Sequence, residues 1–380
     1  MRNTMKAATI ESKFPLLAVE HDCIISKDAD ITVAFRVDLP ELFTVTSAEY
    51  EAIHSSWAKA IKVLPDYSVI QKQDWFTKEN YKPETDKEDM SFLSRSFERH
   101  FNERPFLNHT CFLYLTKTTK ERQRLQSNFS SLCRGNIIPK EVDKETTVKF
   151  LEAVGQFERI VNDSGFVKFT RLTSDEITGT PDSAGLIERY FALSLEDTTC
   201  LEDLELGADG LRVGDKHICV HTVSDVEDLP GTVGTDMRYE RLSTDRSDCR
   251  LSFAAPVGLL LSCDHVFNQY IFLDDSAENL RQFEKSARNM QSLSRYSRGN
   301  QINKEWIDEY LNEAHSFGLT SVRAHFNVMA WSNDTEELKH IRNDVGSQYR
   351  SVVHCETPQQ QRIALASRDT YAERLRAAGL

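Results

Sequence analysis

The chain has 380 residues, 40% of them hydrophobic and 28% charged, with 21 Phe, 11 Tyr and 4 Trp. That aromatic content excludes a disordered chain, and the length is enough for a sizeable core, most economically split into two domains. Lys and Arg total 46 against 59 Asp and Glu, a net charge of −13. The average surface therefore repels phosphate backbones and confines any nucleic-acid contact to a local patch.

The longest apolar run, Phe253 to Leu261, contains Pro256 and Gly258 and falls short of the ~20 residues of a membrane helix. Near the N-terminus the six-residue stretch from Phe14 to Val19 is shorter than a secretory signal requires, so a cytoplasmic protein is expected. The eight Cys include no C-x-x-C pair, and the expectation is reduced, mostly buried thiols with no disulfide and no zinc knuckle.

In chain order, Ile31, Val33, Phe35 and Val37 alternate as one face of a strand. Thr46 and Glu49 are spaced as a capping box, and Tyr50, Ile53, Trp57, Ala60, Ile61 and Leu64 follow at helical spacing up to Pro65. Tyr67 to Gln71 and Cys111 to Leu115 predict strands, the latter apolar on both faces and hence central. Between them lie a charged insert, Lys82 to Glu88, and a helix ending before Pro105. A helix through Val148, Leu151, Val154, Phe157 and Val161 leads to a strand over Phe166 to Leu172. This β-α-β-β-α-β order, with one extra helix, predicts a ferredoxin-like α+β module over residues 1–174.

From Asp175 to Asp209 there are ten acidic residues and one basic residue, Arg189. The expectation is a solvated, loop-rich bridge with an embedded helix at Leu186, Ile187, Tyr190 and Phe191. Gly207, Gly210 and Gly214 then predict a hairpin-like stretch through Val223, giving a bridge-and-hairpin region over 175–250. A second α+β module is predicted over 251–355. It has strands at Val257 to Cys263 and Val266 to Leu273, a helix capped by Asp275 with Glu278, and a further helix in series. An alternating strand, Val322 to Ala330, and a helix through Leu338, Ile341, Val345 and Tyr349, boxed by Asp334 and Glu337, complete it. Residues 356–380 form a tail.

No G-x-x-x-x-G-K-[ST] string is present. Gly210 to Lys216 has the wrong glycine spacing and reads as a turn, so neither a catalytic P-loop nor a cofactor is expected. Ser56 and Lys59 make an S-x-x-K pair without the S-D-N and K-T-G strings that accompany it in serine acyl enzymes, and read as a polar pair on a helix. His217, Cys219 and His221 have the period-two spacing of ligands on a strand, but a half-buried strand is the plainer reading and no metal site is assigned. Glu98, Arg99, His100, Glu103, Arg104 and His109 read as an ion-pair network at a helix end. Arg281, Lys285, Arg288 and Arg295 share a helix face opposite Phe283, Ala287, Met290 and Leu293. In an acidic protein this stripe is the candidate contact for an acidic partner or DNA.

Four strings carry a family resemblance: FPLLAVEHDCIISKDADITVAFRVDLPELFT (Phe14 to Thr44), RSFERHFNERPFLNHTCFLYLTKT (Arg95 to Thr118), FNQYIFLDD (Phe267 to Asp275) and SVRAHFNVMAW (Ser321 to Trp331). In this order they resemble the N-terminal region of the TraG-type conjugation ATPases of Bacteroides conjugative transposons, from about Lys6 to about His354. The resemblance implies a part of a type IV secretion apparatus that moves single-stranded DNA. It also implies self-association, contact with inner-membrane channel components and a place at the inner membrane through those partners. The family's P-loop ATPase domain follows this region, and these 380 residues hold no counterpart of its catalytic residues. The stretch after Thr357 does not resemble the family's continuation. Two other expectations stand beside this one: an adaptor binding DNA or an acidic partner through the basic stripe, and an enzyme using the histidine cluster.

Overall fold

In a computed structural model, the described residues are 14–27, 29–41, 44–81, 91–118, 144–197, 202–207, 210–222, 234–252, 255–293, 296–317 and 322–352. The N-terminal part contains β1 (Leu16–Glu20), β2 (Cys23–Ser26), β3 (Ile31–Asp38), α1 (Ser47–Ile61), β4 (Ser68–Asn80), α2 (Phe92–Asn102), β5 (Pro105–Lys117), α3 (Lys144–Asn162) and β6 (Lys168–Arg171). Thr46 and Glu49 form the expected reciprocal box on α1: Glu49 Oε2 accepts from the Thr46 amide at 2.7 Å and the Glu49 amide donates to Thr46 Oγ1.

β6 pairs with β3, β3 with β5 and β5 with β4, every pair antiparallel. This is the strand order that the ferredoxin-like pattern requires, with α1 and α3 on one face. Val33, Phe35, Leu113, Leu115 and Ile70 are buried there against Ala60, Phe150, Val154 and Phe157. Trp57 meets Phe157 and Phe169 edge-on at 5.8 Å.

The remaining elements are α4 (Ser174–Thr178), β7 (Gly179–Thr180), β8 (Ser183–Ala184), α5 (Leu186–Ala192), β9 (Leu204–Gly207), β10 (Gly210–Val213), β11 (Lys216–Thr222), β12 (Met237–Arg238), β13 (Arg250–Leu251), α6 (Ala255–Leu259), β14 (His265–Leu273), α7 (Ser276–Leu293), α8 (Arg298–Phe317), β15 (Val322–Ser332) and α9 (Thr335–Val352). β14 pairs with β4 along its length, and the order continues β14-β15-β11-β10-β9, so that eleven described strands form one sheet. The strands assigned from sequence to separate modules thus share a single hydrogen-bonded sheet. The sequence offered no sign of this, because pairing between β4 and β14 joins residues nearly 200 positions apart.

Two expectations are corrected. The acidic stretch is not a solvated bridge as far as it is described: α4 and α5 lay Ile177, Leu186 and Leu193 on the second face of the sheet against Trp75, Val266 and Trp331. Three of its carboxylates serve as caps and partners at the rim, Glu176 boxing Thr173, Glu188 accepting from the Gly185 amide and Asp197 pairing with Arg189 at 2.6 Å. The strand expected at Val257 to Cys263 begins instead in helix α6. There Gly258 lies close under Phe76 and Phe267, where a Cβ would come within 3.1 Å of the Phe76 ring.

The first face therefore carries two helical layers side by side. α1 and α3 cover the β3-β5-β4 end, while α6 and α9 cover the β14-β15-β11 end, with Leu338, Ile341 and Val345 on Val328 and Ala330. Lys82 to Glu88 and the tail after Thr357 lie outside the described residues.

Candidate functional site

Val69-Ile70 and Trp75-Phe76 are buried apolar pairs of β4, yet the stretch between them reads Gln71-Lys72-Gln73-Asp74. Alternation sends Lys72 and Asp74 to the first face and Gln71 and Gln73 to the second. On the first face Lys72 and Asp74 sit on the floor of the seam between the two helical layers. Lys72 Nζ forms a short ion pair with Asp74 Oδ2, and His109 Nε2 lies 2.9 Å from Asp74 Oδ1. The Asp74 side chain is 5% exposed, whereas Lys72 and His109 retain 27% and 33% and form the accessible rim. The His109 ring stacks on Phe76, whose other neighbour in a stack is His265, both at 4.6 Å.

Burial alone would raise the pKa of Asp74, but Lys72 and the hydrogen bond with His109 outweigh it and hold the carboxyl well below the usual range. For Lys72 the desolvation that disfavours an ammonium is likewise outweighed, by the charge of the Asp74 carboxylate and the hydrogen bond to it, and its pKa is raised. Burial pushes the neighbouring Cys111 thiol far up, with Asp74 adding to the effect. A carboxylate fixed in its ionised form and a thiol fixed in its protonated form make a poor acid, base or nucleophile.

The second face carries a neutral counterpart at the same level. Gln73 Nε2 donates to Asn268 Oδ1 at 3.0 Å, and Asn268 Nδ2 donates to Asn327 Oδ1 at 2.9 Å. Gln73 Oε1 accepts from Trp75 Nε1 at 2.8 Å and from the Tyr114 hydroxyl at 3.0 Å. One polar chain thus crosses β5, β4, β14 and β15. Sequence reasoning missed both networks, although the polar run inside β4 was their visible signal.

Of the residues singled out from sequence, His109 is drawn down to Asp74, while Glu98, Arg99, His100, Glu103 and Arg104 stay on α2 and its C-terminal end. Arg99 and Glu103 pair there at 2.6 Å with both side chains exposed. Ser56 and Lys59 lie on α1, the serine half-buried and the lysine exposed. His217, Cys219 and His221 share one side of β11 as expected, but that strand is covered on both faces, with Ile218 in one core and Cys219 in the other. Among the described residues no group of three or more His, Cys, Asp or Glu is arranged to hold a metal ion.

Gly210 to Lys216 forms the β10–β11 hairpin, with Gly214 at φ +54 and Lys216 Nζ donating to the carbonyls of Ala192 and Leu193 at the C-terminal end of α5. Asp275 caps α7 through the Glu278 amide at 3.0 Å. Glu337, expected in a capping box with Asp334, is instead drawn to Ser332 and to Lys78 of β4, and Asp334 caps α9 through the Glu336 amide.

The exposed surfaces come from two insertions at opposite ends of the sheet. α2 interrupts the β4–β5 hairpin beyond the Asn80–Pro105 pair, and Phe92, Leu93, Phe97 and Phe101 are all exposed on it, Phe92 by 80%. α7 and α8 interrupt the β14–β15 hairpin beyond the Leu273–Val322 pair. Arg281, Lys285 and Arg288 are exposed on α7, and Arg295 lies outside the described residues. Among the described residues no helix is long and apolar enough to cross a membrane.

Residues 3–55 match the family described as "Domain of unknown function, B. Theta Gene description (DUF3875)". The match takes in β1 to β3 and the first half of α1. A separate similarity links the chain to peptide methionine sulfoxide reductases MsrA. The protein from Rhodospirillum centenum is 52% identical over 50 residues, which are 13% of this chain and 23% of the reductase. Those from Xanthomonas oryzae pv. oryzae and Xylella fastidiosa are 50% and 46% identical over 48 residues, 13% of this chain and 22% of each reductase. The chain thus spans less than a quarter of the length of the curated relatives it matches.

Proposed function

We propose that this chain is the N-terminal assembly and docking region of a conjugative DNA-transfer ATPase of the TraG type. One observation carries the reading: the four strings that resemble that family supply β1, β2, β3, β5, β14 and β15, six strands of one continuous sheet. A resemblance spread over the sequence therefore follows one structural unit. The chemistry at the middle of the sheet supports a scaffold, since Lys72 and His109 are both held on Asp74, and the lysine nearest to a phosphate-loop string is engaged as a helix cap. The insertions α2 and α7–α8 supply the exposed docking surfaces. Partners in this reading are inner-membrane channel components and further copies of the chain, with single-stranded DNA handled by the assembled machine.

The test is replacement of this region in a full-length transfer ATPase by an unrelated domain. Transfer should be abolished, and the 380-residue chain supplied in excess should inhibit transfer by the intact protein. Undiminished transfer in both arms overturns the reading. The isolated chain should release no phosphate from ATP beyond a heat-killed control.

The similarity to methionine sulfoxide reductases favours a second reading, a reductase fragment. The described cysteines Cys23, Cys111, Cys219, Cys249 and Cys263 are all buried, and burial raises each thiol, Cys219 to about 11 and Cys263 to about 12. Thiols of that kind are weak nucleophiles at neutral pH. Thiol-dependent turnover of a methionine sulfoxide peptide by the purified chain would establish this reading over the first.

A further inference from the structure

The α7–α8 hairpin carries opposite charge on its two outer edges. Its helices meet through Phe283 and Tyr310, with ring centroids 4.9 Å apart, and Ala287 and Ala314 are buried. Helical periodicity then turns Arg281, Lys285 and Arg288 outward on α7, and Ile302, Glu305, Trp306, Glu309 and Glu313 outward on α8; all of these are exposed. Trp306 is 65% exposed, an apolar area that a solvated helix face does not require. Among the described residues Arg281, Lys285, Glu309 and Glu313 have no ion-pair partner.

The Phe283–Tyr310 ring contact sets those two residues level across the antiparallel hairpin. In that register Arg281 stands level with Glu313, Lys285 with Glu309, and Arg288 with Glu305 and Trp306. A second hairpin set beside the first and pointing the same way brings α7 of one against α8 of the next. Each cation then faces a carboxylate at its own height, and Arg288 reaches the Trp306 indole.

We propose that the hairpins of neighbouring copies of this chain pack side by side, the basic edge of α7 on the acidic edge of α8. The inference rests on the assembly reading above and names the partner of the basic stripe: a second copy. Two different surfaces meet, so the contact is head-to-tail and propagates into a ring or an open chain, whereas like edges repel and disfavour a two-fold pair through either edge alone.

Sedimentation velocity of the 380-residue chain over a concentration series tests this. The mass should rise with concentration and fall back in ~1 M salt, where screening acts over ~3 Å. Reversal of the α7 edge (Arg281→Glu, Lys285→Glu, Arg288→Glu) should weaken association by about 100-fold or more, and so should reversal of the α8 edge (Glu305→Lys, Glu309→Lys, Glu313→Lys). Circular dichroism of each variant should match the parent. Mixing the two reversed proteins should restore assembly, because their edges are again complementary.

A parent that stays monomeric throughout, association indifferent to both reversals, or a mixture that stays apart overturns the inference. A chain that does not associate but binds labelled oligothymidine through the α7 edge also overturns it, in favour of a nucleic-acid surface. If the chain assembles as described but the same reversals leave transfer by the full-length ATPase unaltered, the contact stands and the functional reading falls.

Discussion

The indole of Trp75 on β4 meets that of Trp331 on β15 edge-on, with centroids 6.0 Å apart and planes inclined by 66°. Between them runs β14, which pairs with both strands, and over them lie the residues of α4 and α5. The first and last thirds of the chain therefore share one core, and a change at this point is felt by both.

Trp75→Ala removes a fully buried side chain from that core, and a loss of about 3–5 kcal/mol is expected. Because the sheet is continuous, denaturant should unfold parent and variant in a single transition followed alike by fluorescence and far-ultraviolet circular dichroism. Two separated transitions, only one of them shifted, would show two independent domains.

Asp74→Asn leaves the partly exposed Lys72 without its counter-charge and the buried side chain of residue 74 with weaker partners, and should cost about 1–3 kcal/mol at neutral pH. The native pKa of Asp74 is depressed, so its stabilisation is full above the unfolded value of about 3.9 and is lost as pH falls from there toward the lower native value. The stability gap between parent and variant should accordingly hold at pH 7 and narrow below about pH 4. Urea titrations at several pH values measure this, and a gap that widens in acid contradicts it.

His221 lies buried beside Arg342, and burial first and that guanidinium second lower its pKa to about 4. A depressed native pKa means that the neutral form is favoured by folding. Its contribution is present above the unfolded value of about 6.5 and is lost as pH falls to about 4, by about 3 kcal/mol in total. In His221→Phe the part of the acid destabilisation between those values should disappear. Thermal melts at pH 7.5 and 5 decide the matter: equal shifts in parent and variant would remove His221 as the cause.

Gly185 starts α5 where the chain passes close over the end of α4. A Cβ there would stand 2.2 Å from the Gly179 nitrogen and 2.3 Å from the Thr178 carbonyl carbon. Gly185→Ala should destabilise by at least about 1–3 kcal/mol and expose 174–197 to protease. A solvated bridge would tolerate the change, so an unaltered melting temperature and digestion pattern would refute the packing of α4 and α5.

Local physics made much of this protein legible in its sequence. Alternation at Ile31 to Val37 and at Val322 to Ala330, the Thr46–Glu49 box and the apolar spacing of α3 each act over a few residues, and the corresponding elements stand where those patterns place them. The order of those elements was enough for the ferredoxin-like pairing of β6, β3, β5 and β4. Sequence also marked Arg281, Lys285 and Arg288 as an exposed stripe, because helical spacing alone decides which side chains share a face.

Tertiary structure decided what local patterns do not encode. The pairing of β4 with β14 fuses two predicted modules, since strand partners are chosen by burial across the whole fold. The acidic run from Asp175 is packed through Ile177, Leu186 and Leu193 because a few apolar residues among many carboxylates suffice once a sheet face needs cover. Asp74 and His109, 35 positions apart, become partners because antiparallel β4 and β5 set their side chains diagonally on one face. No periodicity in either segment carries that information.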